Sequence, residues 1–344
     1  MFTRNFTALI ILVLVGCQAD DSDLQNSCDQ ATDAPHWQVL SFCRDNQLLA
    51  VWSKSGDTWV VGAAGEILRF DGCEWSPLAS GTNADLWWVF GVDDAVFIGG
   101  ANGTLFKWTA DTGLVTQSLS NGESATIYGI WGHAKNDVWA VGFDPKTPKS
   151  GVVYRYAGDQ WTPVALPTPG DPFKVFGTSE NELLIVGRDD LVLKWDQTLT
   201  PIDTGLNADW VTVSSVGGEL IAVGGPNQAT LSSEPSGWKN LAPDNLGALQ
   251  GICGNTSGQG VATGISATFL RRSESGTWSE DTSAPFALFT PGNAPTATCS
   301  QPAPDYHACH MDDSGHTFVV GGNFLRLTEG ALLYYGSTLS TSGL

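Results

Sequence analysis

The densest group of chemistry-bearing side chains lies near the C-terminus. His307, His310, Asp312, Asp313 and His316 fall within ten residues, and the chain holds only five histidines. Imidazole and carboxylate together can bind a transition metal. This segment reads as strand, turn, strand, and side chains alternate along a strand. His307 and His310 then point to opposite faces, so a metal site needs a ligand from elsewhere. The competing reading is a set of polar turn residues.

Cysteines form the second group. Beyond Cys17 the chain has Cys28, Cys43, Cys73, Cys253, Cys299 and Cys309. None has the C-x-x-C spacing of a zinc or redox site. An even number in an exported chain points to three disulfides. We expect Cys28–Cys73, Cys43–Cys299 and Cys253–Cys309, with Cys28–Cys43 and Cys299–Cys309 as the local rival. The 36 acidic residues could hide a hydrolytic pair, but sequence alone names none. Catalytic residues are therefore not assigned, and no pattern calls for a cofactor.

The N-terminal residues set the compartment expectation. Ala8–Val15 is an apolar run, too short to cross a bilayer as a helix, and it fits the core of an export signal. Leu14-Val15-Gly16-Cys17 resembles the lipobox of bacterial lipoproteins. The resemblance implies cleavage after Gly16 and lipidation of Cys17, and Gln18 in place of Asp implies the outer membrane. Residues 17–36 read as an acidic, flexible tether. The full chain carries a net charge of −20, which becomes −21 once Arg4 leaves with the signal. Such a surface repels nucleic acid.

The body of the chain is repetitive. Thr126–Gly142 reads TIYGIWGHAKNDVWAVG, and Leu48–Gly62 reads LLAVWSKSGDTWVVG. Weaker copies begin at Leu86, Phe173, Trp210, Leu249 and Tyr306. The marker glycines are Gly62, Gly99, Gly142, Gly187, Gly224, Gly264 and Gly321, taken as tight-turn residues after the second strand. A third apolar strand follows in most units (ILRF, LFKW, VYRY, VLKW, FLRR, FLRL), and several units add a Trp-led fourth. Four short strands in about 40 residues predict an all-β fold, a β-propeller of about seven four-stranded blades over 37–336 with a tail at 337–344. Trp37–Leu40 and Ala331–Gly336 compete to supply the closing outer strand.

The V-W-G…D-V-W-A-V-G pattern resembles the propeller repeats of bacterial lipoproteins and secreted proteins, and more distantly photosystem assembly-factor and Asp-box propellers. The Asp-box is incomplete: Ser273–Trp278 lacks its Asp, and Asp313–Phe318 falls in a first hairpin. Arg69, Lys107, Arg155, Lys194, Arg271 and Arg326 recur at one repeat position and read as blade-packing residues. That leaves only Arg44, Arg188 and Arg272 outside the repeat. A sialidase-like arginine triad is thereby disfavoured. Two loops depart from the plan, Phe143–Gly151 with Lys146 and Lys149, and Asp281–Asp305. The expectation is a lipid-anchored binding scaffold of the envelope with a protein or glycan ligand. The alternatives are a glycosidase or lyase at the channel mouth, or an envelope-complex assembly factor.

Overall fold

The computed structural model describes residues 33–179, 182–225, 230–234, 237–243, 246–273, 275–283 and 304–344. The export signal, Cys17, Cys28, most of the tether and most of the 281–305 insert, with Cys299, lie outside the described residues. Among those described, the strands form seven antiparallel four-stranded sheets, and the helical content is a single 3-10 turn at Ala63–Gly65. The chain is an all-β propeller.

We number the blades by their innermost strands: Leu48–Lys54, Leu86–Val92, Thr126–Ala134, Pro172–Ser179, Asp209–Val216, Leu249–Gly254 and Asp305–Met311. In blades 1 to 6 the chain runs outward through four consecutive strands. Blade 7 is built differently. Thr317–Asn323 and Thr328–Gly336 are its second and third strands, and His36–Arg44 is the outermost. The two segments expected to compete for one place occupy neighbouring places. The ring therefore closes by pairing the first strand of the body with the last. The C-terminal tail continues across to blade 1, where Trp75 donates through its backbone N–H to Ser342 and through its indole to Ser340.

Two expectations need correction. FLRL at Phe324–Leu327 is the hairpin between the second and third strands of blade 7, not a strand, so Arg326 does not share the position of the other basic residues. The register places Tyr334 there, opposite Phe318. The glycine equivalent in blade 2 is Gly100 rather than Gly99, because Gly100 pairs with Leu86 as Gly62 pairs with Leu48.

The marker glycines also serve a different purpose from tight turning. None of the seven has a positive φ. A Cβ on Gly62, Gly142, Gly187, Gly224, Gly264 or Gly321 would lie 1.9–2.4 Å from the carbonyl oxygen of the residue that leads into the innermost strand. On Gly100 the gap would be 2.6 Å, to Asp85. Close approach of two backbones, not turn geometry, demands glycine.

Blade faces are apolar on both sides and pack on their neighbours. Val61, Val141, Val186, Val223 and Val320 are fully buried. The Trp of the V-W-G pattern packs on the next blade: Trp52 covers Gly91 and Trp131 covers Gly177, where an added Cβ would sit 2.3–2.4 Å from the ring. Further out, a basic residue is held between rings. The Arg69 guanidinium lies 5.2 Å from Trp59 of its own blade and 4.5 Å from Trp108 of the next. Arg155 lies between Trp139 and Trp195 in the same way, and Lys107 between Phe97 and Tyr156. Asp57 and Asp137, at the starts of second strands, pair with Arg69 at 2.8 Å and Arg155 at 2.7 Å.

A third tie joins the blades near the channel. Asp85, Asp171, Asp209 and Asp305 each accept a backbone N–H from the hairpin of the preceding blade, from Ala64, Ser150, Asp189 and Ser266 at 2.8–3.2 Å. Three of these donors, Ala64, Asp189 and Ser266, have positive φ, so the carboxylate bonds a turn that already costs backbone strain.

Removing the guanidinium clamp should loosen the ring without unfolding it. Arg69→Met is expected to lower stability in urea by roughly 1–2 kcal/mol, the sum of a partly exposed cation–π contact and a surface ion pair. A double-mutant cycle with Trp108→Leu should give a coupling of about 0.5–1 kcal/mol. Additive losses would show that the clamp has no energetic content.

Candidate functional site

The register between the innermost and second strands slips by one residue at the same point in every blade. The extra residues are Leu49, Trp87, Tyr128, Phe173, Val211, Gln250 and His307. A bulge re-aims the side chain it carries. Six of the seven line one cavity of about 580 Å³ at the face where the innermost strands begin, here called the front face. Leu49 is fully buried, and its carbonyl accepts the His307 Nδ1–H at 2.6 Å.

The wall of this mouth is aromatic. Trp87 meets Tyr128 at 5.2 Å, His307 at 5.8 Å and Phe324 at 6.2 Å between ring centroids. Tyr128 meets Phe173 at 5.3 Å, and His307 stacks on Phe324 at an interplanar angle of 17°. The belt reaches solvent through the blade 7 hairpin, where Phe324 is 38% exposed and Leu325 90%. Arg188 stands at the rim above Phe143 and Phe173, with its nearest carboxylate, Asp171, at 4.0 Å. Lys174 forms part of the wall. It is buried, donates to the Tyr128 carbonyl, and holds its ammonium 3.7 Å from the centre of the Trp88 ring. Burial keeps it well below the ordinary lysine range.

A smaller cavity of about 250 Å³ opens at the rear face. Trp52, Phe90, Trp131 and Phe176 line one side of it, with Ser214, Asn255 and His310 on the other. Lys174 borders both cavities. Each cavity has one acidic residue in its wall among the described residues, Asp209 in front and Asp313 at the rear. Asp209 accepts from Asp189 N–H, and Asp313 accepts from the Thr256 hydroxyl.

The five expected metal ligands are dispersed. His307 faces the front mouth and His310, three residues further along the innermost strand, the rear cavity. Asp312 is engaged by Ser314 N–H, His316 N–H and the His316 ring within its own hairpin. No group of three or more His, Cys, Asp or Glu able to hold a metal occurs among the described residues. The polar-turn reading fits Asp312, Asp313 and His316.

Cys253 and Cys309 join the innermost strands of blades 6 and 7, with Cα atoms 5.7 Å apart, inside the usual disulfide range. Cys43 and Cys73 are also disulfide-bonded. The partners expected for them, Cys299 and Cys28, lie outside the described residues. Of the three off-repeat arginines, Arg44 pairs with Glu66 at 2.7 Å and Arg272 with Glu219 at 2.6 Å. They stand in different blades from Arg188 and form no triad with it. Lys149, from the 143–151 loop, lines a shallow pocket together with Arg188 on the front rim.

No family model and no curated protein matches the chain. Solved structures do. YCF48 from Cyanidioschyzon merolae is similar with a TM-score of 0.64 and 14% identity, covering 87% of this chain and 98% of its own. YCF48 bound to D1 peptide gives 0.65 and 15%, covering 90% and 99%. The WD40 propeller domain of Doa1 gives 0.63 and 11%, covering 90% and 100%. At these identities the likeness is one of fold.

Both channel histidines titrate abnormally. Burial pushes His307 and His310 down to about 4, with the Lys174 charge adding to the effect at His307. Between about pH 6.5 and 4 the unfolded chain binds protons that the native one refuses. Stability should therefore fall with falling pH in that window, by up to about 1.4 kcal/mol per pH unit for each imidazole. Urea midpoints at pH 7 and 4.5 test this. A double His307→Gln, His310→Gln variant should show a shallower fall than the wild type. Equal slopes would refute the assignment to these two rings.

Proposed function

We propose that this chain is a non-catalytic interaction scaffold of the bacterial envelope. Its propeller takes a polypeptide partner at the front mouth, and a lipid on Cys17 tethers it to the outer membrane. The observation that carries the binding role is the ring of bulge residues. The same backbone device is repeated in seven blades, yet six of them present largely unlike side chains to one cavity. Architecture explains the repeated bulge, and recognition explains the varied residues.

An aromatic belt with an exposed Phe324–Leu325 tip matches the composition of protein-binding surfaces. Solved neighbours of the same fold include one with a bound peptide. The carbohydrate-cleaving alternative needs two carboxylates across a scissile bond. One acid per cavity wall, each already accepting a hydrogen bond, favours binding. The tether reading rests on the lipobox residues alone.

Two experiments test the two halves. Metabolic labelling with a clickable fatty acid should tag the wild type and leave Cys17→Ser unlabelled in the soluble fraction. Label on both, or on neither, would refute the anchor. For the mouth, a photo-crosslinking residue at Leu325 should yield discrete polypeptide adducts in cells. Trp87→Ala with Phe173→Ala should abolish them, and the same probe at Asn136 on the rear rim should give none. Adducts from the rear rim alone would overturn the assignment.

A further inference from the structure

The innermost strands allow a comparison that the fold itself makes strict. The residue following the bulge is Ala50, Trp88, Gly129, Thr212, Gly251 or Ala308 in six blades and Lys174 in the seventh. Packing at this layer is met by small or uncharged side chains. Lys174 is nonetheless a lysine, and the one buried lysine or arginine among the described residues.

A buried ammonium is costly unless it is paired. Lys174 has the Tyr128 carbonyl and the face of Trp88, but no ion pair among the described residues. The titratable groups that share its cavities are His307, Tyr128, Arg188 and Asp209 in front and His310 and Asp313 at the rear, where Asp313 accepts from the Thr256 hydroxyl. Asp209 accepts a backbone N–H of the preceding hairpin, and His307 adds no negative charge. The cavity thus holds a lysine amine at its inner end, which an incoming anion would keep protonated, with the Arg188 guanidinium at the rim. It does so in a chain of net charge −20.

We infer that Lys174 reads a carboxylate brought in through the front mouth, namely the C-terminal carboxylate of a polypeptide whose last residue is apolar or aromatic. The inference rests on the reading of the mouth as a polypeptide site. Three features select this ligand. The aromatic belt of Trp87, Tyr128, Phe173 and Phe324 fits an apolar terminal side chain. The two cavities share Lys174 and Trp88 lies against it, so a chain arriving end-on meets Lys174 with its last atoms. A monoanion suits a site with a lysine amine inside, a guanidinium at the rim and Asp209 in the wall, because it supplies the charge that favours the protonated amine. On binding, the carboxylate would accept a charge-assisted hydrogen bond from the Lys174 ammonium, with Arg188 free to engage the chain nearer the surface.

The test uses the full chain and two peptide arrays of identical random sequences. One array presents free carboxyl termini and the other C-terminal amides. The wild type should bind a subset of the acid array enriched in apolar last residues. It should bind the matching amides roughly tenfold more weakly or worse. Lys174→Met should lose the acid preference while remaining as stable as the wild type in urea at pH 7, or more so. Equal binding of acids and amides, with both lost in Trp87→Ala, would leave the mouth reading intact and overturn the carboxylate. So would a Lys174→Met variant that keeps the acid preference. A destabilised Lys174→Met would identify the lysine as a packing residue and overturn the inference as well. Acid-array binding through internal Asp or Glu, insensitive to amidation, would assign the source to side chains and refute the terminal one. Binding that Trp87→Ala leaves unchanged, or none on either array, would overturn the mouth reading itself.

Discussion

Each blade has two apolar faces and can bury neither by itself. A four-stranded sheet of this size exposes one face or the other until a neighbour covers it, and the last neighbour must be the first blade. That constraint explains why three separate ties cross every part of a blade boundary. Near the channel the carboxylate of Asp85, Asp171, Asp209 or Asp305 bonds the preceding hairpin. Between innermost strands, beside the rear cavity, a tryptophan lies on the glycine of the next blade. Further out a cation is clamped between rings. It also explains the ends of the body. His36–Arg44 completes blade 7, the tail crosses to Trp75, and a disulfide fastens the last two innermost strands.

The same close packing produces the mouth. Gly62 and its equivalents let the second strand approach the backbone that leads into the innermost strand. The innermost strand then takes one more residue than its partner, and that residue turns toward the axis. Scaffold and site are coupled at a single backbone feature. The scaffold fixes where the bulge falls, and leaves the identity of its side chain open.

This coupling decides what was legible in the sequence. Val141, Trp139, Gly142 and the Arg155 position repeat from unit to unit, so repetition exposed the all-β propeller and the packing role of the basic residues. Repetition is silent where one unit departs. Lys174 sits inside FKVFG, which matches the repeat well enough that its one charge passes as tolerated variation. Aligning the seven inner strands residue by residue would have shown a lysine among Ala, Gly, Thr and Trp. The bulge ring of Trp87, Tyr128, Phe173 and His307 was hidden for another reason. Strand periodicity of two sends alternate residues to opposite faces, and a one-residue slip breaks that rule without leaving a mark in composition. The histidine cluster misled in the opposite way. Nearness in sequence suggested a joint site, but the strand carries His307 to the front mouth and His310 to the rear cavity, and the hairpin absorbs Asp312 and His316.

The charge of the chain follows the same division. Many of its carboxylates are structural acceptors: Asp57 and Asp137 hold the clamped arginines, Asp281 holds Arg271, and four more bond hairpin N–H groups. An acid used in this way contributes to the net charge without offering a free carboxylate to a partner. The basic residues are likewise mostly committed: Arg44, Arg69, Arg155, Arg271 and Arg272 all have carboxylates within 3 Å. Arg188, with its acid at 4.0 Å, and Lys174, with no carboxylate partner among the described residues, both belong to the front mouth. In a molecule that pairs most of its arginines with carboxylates, a guanidinium and a buried amine without a close one around a single aromatic cavity fit a counter-ion brought from outside.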